Sequence, residues 1–127
     1  MVQDFDVTSR VLHGLSAIGV GCAIDDFAAD YASLRYLQQL PVDIVKLDCG
    51  FSDTQDTIAD EIEITRGMIG IVTKLGTHPI LKGIETDQQI APFAQDSSIG
   101  FQGTFFGEPM LIDQLCSRGG RVWESPD

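Results

Sequence analysis

Positive charge is what this sequence has least of. Against 19 Asp and Glu stand only 8 Lys and Arg, a net charge of −11 over 127 residues. Nucleic acids are held largely by Lys and Arg neutralising phosphates, so this balance argues against a nucleic-acid interface and against an anionic lipid surface. Long hydrophobic runs are also missing. None approaches the ~20 residues of a membrane span, and no leader pattern follows Met1, so a cytoplasmic protein with no membrane contact is expected. Cysteine is scarce and scattered: Cys22, Cys49 and Cys116 are odd in number and include no Cys-x-x-Cys pair. That spacing fits free thiols in a reducing compartment rather than a disulfide framework. Low-complexity tracts are absent and 43% of residues are hydrophobic, which excludes disorder and leaves one folded domain.

What is present is an alternation. Residues 4–18 carry Phe5, Val7, Val11, Leu12 and Leu15 at helical intervals, and 20–24 form a short apolar run suited to a buried strand. A helix is expected over 30–40, with Tyr31, Leu34, Leu37 and Gln38 at helical spacing, stopped by Pro41. Residues 44–47 read as the next strand. A long helix over 54–75 turns Ile58, Ile62, Met68, Ile69, Val72 and Leu75 inward and ends at Gly76. Residues 79–84 read as a third strand. Thr86 and Gln89 form a capping box for a helix that Pro92 kinks, 100–106 read as a fourth strand, and 109–118 as a last helix.

A helix followed by repeated strand–helix units with near-continuous apolar strands predicts a parallel α/β sheet. The polar residues gather just after the strands: Asp25 and Asp26, Lys46 and Asp48, Lys82 and Glu85, then Gln102. Successive strands delivering polar groups at their carboxyl ends is how a barrel builds a site, but a barrel needs eight strands. Half a barrel is expected here, over residues 1–118, with a frayed tail at 119–127.

The stretch "DDFAADYASLRYLQQLPVDIVKLD" resembles the central signature of the EAL family, the cyclic di-GMP phosphodiesterases. "ILKGIETDQQ" is similar to that family's Ala-Glu-Gly-Val-Glu-Thr segment, and "FQGTFFGEP" to its Gln-Gly-Tyr-Leu-Phe strand with the following Pro. The segments fall in order, over about residues 15–110. The resemblance implies the carboxyl-terminal half of a TIM barrel in which two Mg²⁺ or Mn²⁺ ions activate water against a phosphodiester. It places Asp25 and Asp26 at the paired metal carboxylates and Lys46 at the lysine facing the attacking water. Glu85 falls at the second glutamate of the seventh-strand motif, and Gln102 at the glutamine of the eighth.

The departures from that pattern matter more. These residues include no Glu-Ala-Leu segment, with its glutamate ligand and nearby arginine, and none of the ligands of the third and fourth strands. Lys82 replaces the glutamate assigned as general base. Ala28, Ala29 and Asp30 replace the Gly-Thr-Gly hinge, Cys49 an arginine, and Glu108 a basic residue. A lysine cannot take a proton from metal-bound water near neutral pH and repels the metals. No active catalytic residue, no bound metal and no cofactor are therefore expected.

Each residue also has an ordinary structural use. Asp25 and Asp26 are expected to form an ion cluster with Lys46 and Lys82 in place of a metal cage, with Lys82 in salt-bridge reach of an aspartate. If that cluster is buried, losing Lys82 should cost of order 3 kcal/mol. Gln102 suits a strand-end hydrogen bond, Glu85 a position before the Thr86 cap, Asp48 a loop acceptor, His13 and His78 surface or packing roles, and Cys22 a buried place on its strand. The function expected is a non-catalytic, truncated EAL-like domain working through protein contacts: a homo-oligomer, a dimer first of all, or association with full-length EAL proteins. Strand edges and inner-face side chains are its expected interface. The alternative is a cyclic di-GMP binding protein, or a phosphodiesterase fragment whose metal site a partner completes.

Overall fold

A computed structural model describes residues 4–27, 31–49 and 55–117. The loop at 28–30, the expected helix start at Thr54, Arg118 and the tail at 119–127 lie outside the described residues. Helix α1 (Phe5–Ala17) begins where the Asp4 carboxylate accepts a bond from the Val7 amide at 3.2 Å. It leads to β1 (Ala23–Ile24), α2 (Tyr31–Gln39), β2 (Ile44–Asp48) and α3 (Gln55–Lys74). Then come β3 (His78–Lys82), α4 (Asp87–Ile90), a 3₁₀ turn (Ala91–Phe93), β4 (Gly100–Phe101) and α5 (Ile112–Ser117).

The four strands form one parallel sheet in the order β1-β2-β3-β4. An order that follows the chain without reversal is that of a barrel wall, whereas a doubly wound sheet reverses at its switch point. The register pairs Ile44 with His78 and runs without a break to Asp48 opposite Lys82. Because strand side chains alternate, Val45 and Leu47 share a face with Pro79 and Leu81. That face is buried with Leu37, Ile69, Val72, Ile84 and Phe93. Ile44, Lys46 and Asp48 share the opposite face with His78, Ile80 and Lys82, so the charged residues lie on what would be a barrel's interior.

The edge strands are shorter than their apolar runs suggest. The β1 run begins at Val20, yet only Ala23 and Ile24 enter the ladder. Just before them the Cys22 amide donates to the Asp43 carboxylate at 2.8 Å. Beyond them Asp26 takes a left-handed φ of 52° that ends the strand. Cys22 is therefore half-buried ahead of β1, not within it. The β4 run was expected to reach Phe106, but only Gly100 and Phe101 pair. Gly103 is pressed against Ile84, whose carbonyl accepts from the Phe105 amide at 3.1 Å, and the chain turns away. The proline in the 3₁₀ turn, Pro92, ends α4 after one turn by withholding its N–H. α5 starts late, at Ile112, because the Gln114 side chain caps the Leu111 amide.

Two glycine replacements should move stability in opposite directions. A Cβ on Gly103 would sit 2.0 Å from the Ile84 carbonyl oxygen, whereas one on Gly70 meets nothing within 4 Å. Gly103→Ala is expected to lose about 3 kcal/mol in urea unfolding, and Gly70→Ala to gain roughly 0.5–1 kcal/mol as a better helix former.

Candidate functional site

The carboxyl ends of β1, β2 and β3 bring the charged residues together. Lys82, the last residue of β3, points its ammonium across β2 to the loop after β1. Its Nζ donates to Asp25 Oδ1 at 2.8 Å and also to Asp26 Oδ1. The left-handed backbone at Asp26 turns both adjacent carboxylates toward one cation, and the Asp26 amide donates to Asp25 Oδ1 at 2.9 Å. Fifty-six residues separate Lys82 from Asp26, so only strand order makes this contact.

The cluster is not a buried one. The side chains of Asp25 and Asp26 are 63% and 78% exposed, while Lys82 is 20% exposed. The large cost expected for losing a buried cation therefore does not apply; solvent screens the pair. The Lys82 bond, then the Asp26 amide, hold the Asp25 carboxyl below its ordinary range, with a smaller contribution from Lys46. Bonds from Asp25 and Asp26 hold Lys82 above its ordinary value.

The remaining expected residues are placed around this centre without joining it equally. Lys46 stands on the inner face of β2 and acts on Asp25 through its charge. Asp48 ends β2 beside Gly83, where a Cβ would stand 3.0 Å from Asp48 Oδ1 and where φ is +80°. Only glycine fits that turn without strain. Glu85 and Gln102 are exposed. Gln102 acts through its backbone, donating to Leu81 at 2.9 Å and accepting from Ile84 at 3.0 Å. His13 Nδ1 bonds within its own helix, to the Ser9 carbonyl at 2.7 Å and near the Ser9 hydroxyl at 3.3 Å. His78 is exposed at the opposite end of β3. Burial, then the charge of Asp48, pushes the Cys49 thiol up to about 11, which makes it a packing group rather than a nucleophile.

Sequence reasoning treated Gln89 only as a capping residue. Its Oε1 accepts from the amides of Glu85 and Thr86 at 2.6 and 3.1 Å, while its Nε2 donates to the Cys49 carbonyl at 3.3 Å. It thus ties the loop after β3 to the end of β2. The capping pattern pointed to this residue, but nothing in it announced the second strand.

The donor set does not fit the two divalent ions that the resemblance implies. Among the described residues no three His, Cys, Asp or Glu side chains converge as a metal site, and an ammonium occupies the gap between the paired carboxylates. Divalent ions need several oxygen ligands.

The ion cluster has a testable pH signature. A depressed Asp25 contributes stability that is present above the ordinary carboxyl value and lost as pH falls through the folded one. A raised Lys82 contributes stability that is present below its ordinary value and lost as pH rises through the folded one. The pair should therefore act between about pH 4 and about pH 10. In Lys82→Met, NMR titration should show the Asp25 midpoint rising towards the ordinary carboxyl range, with the Asp26 amide still holding part of the depression; an unchanged midpoint would refute the pairing.

Residues 1–109 match the sequence profile of the EAL domain. The chain is 42% identical over 107 residues to an uncharacterized Mycobacterium tuberculosis protein, covering 80% of this chain and 34% of that one. It is 33% identical over 116 residues to the Pseudomonas aeruginosa bifunctional diguanylate cyclase/cyclic di-GMP phosphodiesterase MucR, covering 91% of this chain and 17% of MucR. The solved EAL domain of Mycobacterium smegmatis DcpA superimposes with a TM-score of 0.80 at 31% identity, over 95% of this chain and 55% of that one. The chain thus spans about half of a solved EAL domain and between 17% and 34% of these curated relatives. With its sheet order, its strand-end carboxylates and its profile match all in agreement, the chain belongs to the EAL domain family of cyclic di-GMP signalling.

Proposed function

We propose that this 127-residue chain is a non-catalytic EAL domain that works by protein–protein association within cyclic di-GMP signalling. Lys82, bonded to both Asp25 and Asp26, is the observation that carries the reading. In the family resemblance its position belongs to a glutamate that removes a proton from the attacking water. An ammonium whose pKa is raised further by two carboxylates has no capacity to accept that proton at neutral pH. The same ammonium holds one oxygen of each carboxylate and repels a divalent ion there, so Mg²⁺ and Mn²⁺ have no part in the proposed function.

Charge supports the same reading. Cyclic di-GMP is an anion, and a chain of net charge −11 repels it unless cations are focused at the site. Of the strand-end cations, Lys82 is committed to aspartates and the charge of Lys46 acts on Asp25. Association with a second copy, or with longer EAL proteins, is the activity left to such a domain.

The expected outcome is no hydrolysis of cyclic di-GMP by the chain at neutral pH with either Mg²⁺ or Mn²⁺. Lys82→Glu should remain inactive, because one restored group does not restore a metal cage. Metal-dependent turnover by the unmodified chain overturns the proposal. Calorimetric titration with the nucleotide and each ion should give no binding heat. Binding without turnover would instead favour a nucleotide receptor, a reading prompted by the solved cyclic di-GMP complex of the MucR phosphodiesterase, 33% identical over 90% of this chain.

A further inference from the structure

Cys49 loses a backbone partner at the point where β2 and β3 part. In an unbroken parallel ladder a residue donates to one residue of the neighbouring strand and accepts from the residue two further on. The first half of that pattern holds, since the Cys49 amide donates to the Lys82 carbonyl at 2.8 Å. The second half would bring the Ile84 amide back to the Cys49 carbonyl. Gly83 prevents it. Its φ of +80° turns the backbone over, and the Ile84 amide donates instead at 3.0 Å to the carbonyl of Gln102, the residue after β4. Cys49 is 1% exposed, so its carbonyl has little water to turn to, and a buried acceptor left unpaired is costly.

The Gln89 side chain supplies that missing rung. Its Nε2 donates to the Cys49 carbonyl at 3.3 Å, where the sheet would have placed a peptide N–H. Its Oε1 accepts from the Glu85 amide at 2.6 Å and from the Thr86 amide at 3.1 Å. A capping glutamine needs the Thr86 bond alone. The other two bonds join α4 both to the end of β2 and to the turn after β3. A carboxamide suits the task, because one planar group accepts twice and also donates. We propose that Gln89 is a latch, a side-chain amide standing in for the sheet ladder, which closes the end of β2 against the turn after β3. The strand ends that carry Lys46, Asp48 and Lys82 are thereby held together past their last paired residues, Asp48 and Lys82. Water can replace the Gln89 oxygen at Glu85 and Thr86, which are exposed. At Cys49 it has no such access, so loss of the latch frees that end.

The Cys49 thiol reports the opening. It is buried, whereas Cys22 is half-buried and Cys116 exposed. Alkylation by iodoacetamide, read thiol by thiol with peptide mass spectrometry, therefore follows access to the end of β2. Native-state amide exchange on the same proteins reports Glu85 and Thr86, and Val72 of α3 for the core. Gln89→Leu should raise Cys49 alkylation at least about tenfold and speed exchange at Glu85 and Thr86, with Val72 unchanged. Gln89→Glu separates the two halves of the latch. Its carboxylate still accepts from both amides, which stay protected, but it cannot donate, so Cys49 alkylation should rise as in Gln89→Leu. Cys49 alkylation that stays at the unmodified rate in either variant overturns the proposal. So does a rise matched by faster Val72 exchange, which would mean a general loss of stability rather than a released latch.

Discussion

The parallel ladder between β2 and β3 is the constraint on which the remainder of the structure rests. Its register holds from Ile44 opposite His78 to Asp48 opposite Lys82. One face of this pair, with Val45, Leu47 and Leu81 almost wholly removed from water, anchors α2, α3 and the α4 segment through apolar burial. The other face lines up Lys46, Asp48 and Lys82. A slip of one residue would exchange the faces, burying charge without partners and exposing the core. Register, core and candidate site are thus one choice made once.

On that frame one cation holds two adjacent carboxylates together. Adjacent carboxylates at a strand end repel each other and need a nearby cation. In Asp25 and Asp26 the repulsion is relieved by Lys82, and the left-handed backbone at Asp26 lets both oxygens reach it. A lysine supplies one positive charge on a flexible stem, whereas divalent ions demand an ordered oxygen cage. Exposure sets the energetic scale. Because the pair is open to water, it orients the loop after β1 more than it stabilises the fold.

The same fold leaves its apolar surface unevenly distributed. Material between neighbouring strands and helices is well covered, as Val72, Leu81 and Ile84 show at 0% exposure. Surface next to the two edge strands is not, as Ile18 and Leu111 show at 75% and 73%. The short β1 and β4 limit the unpaired backbone at those edges, which restrains indiscriminate strand addition. No helix among the described residues is long and apolar enough to cross a membrane.

The sequence alone determined the repeating strand–helix order, since buried parallel strands read as continuous apolar runs and helices as a 3.6-residue period. It also located the chemistry at the strand ends and, through the length of the "DDFAADYASLRYLQQLPVDIVKLD" segment, the family. It did not determine where the edge strands stop. Val20 and Phe106 sit in runs that look like strand, but the Asp43 carboxylate claims the Cys22 amide and the close approach of Gly103 to Ile84 turns the chain away from β4. Those are contacts between distant segments, invisible to local pattern. Tertiary structure also decided that the Asp25, Asp26 and Lys82 cluster is exposed, that Gln89 reaches the Cys49 carbonyl, and that one stripe of α1 stays uncovered. Periodicity reports that a side chain is apolar; only the packing of neighbouring elements decides whether anything lies against it.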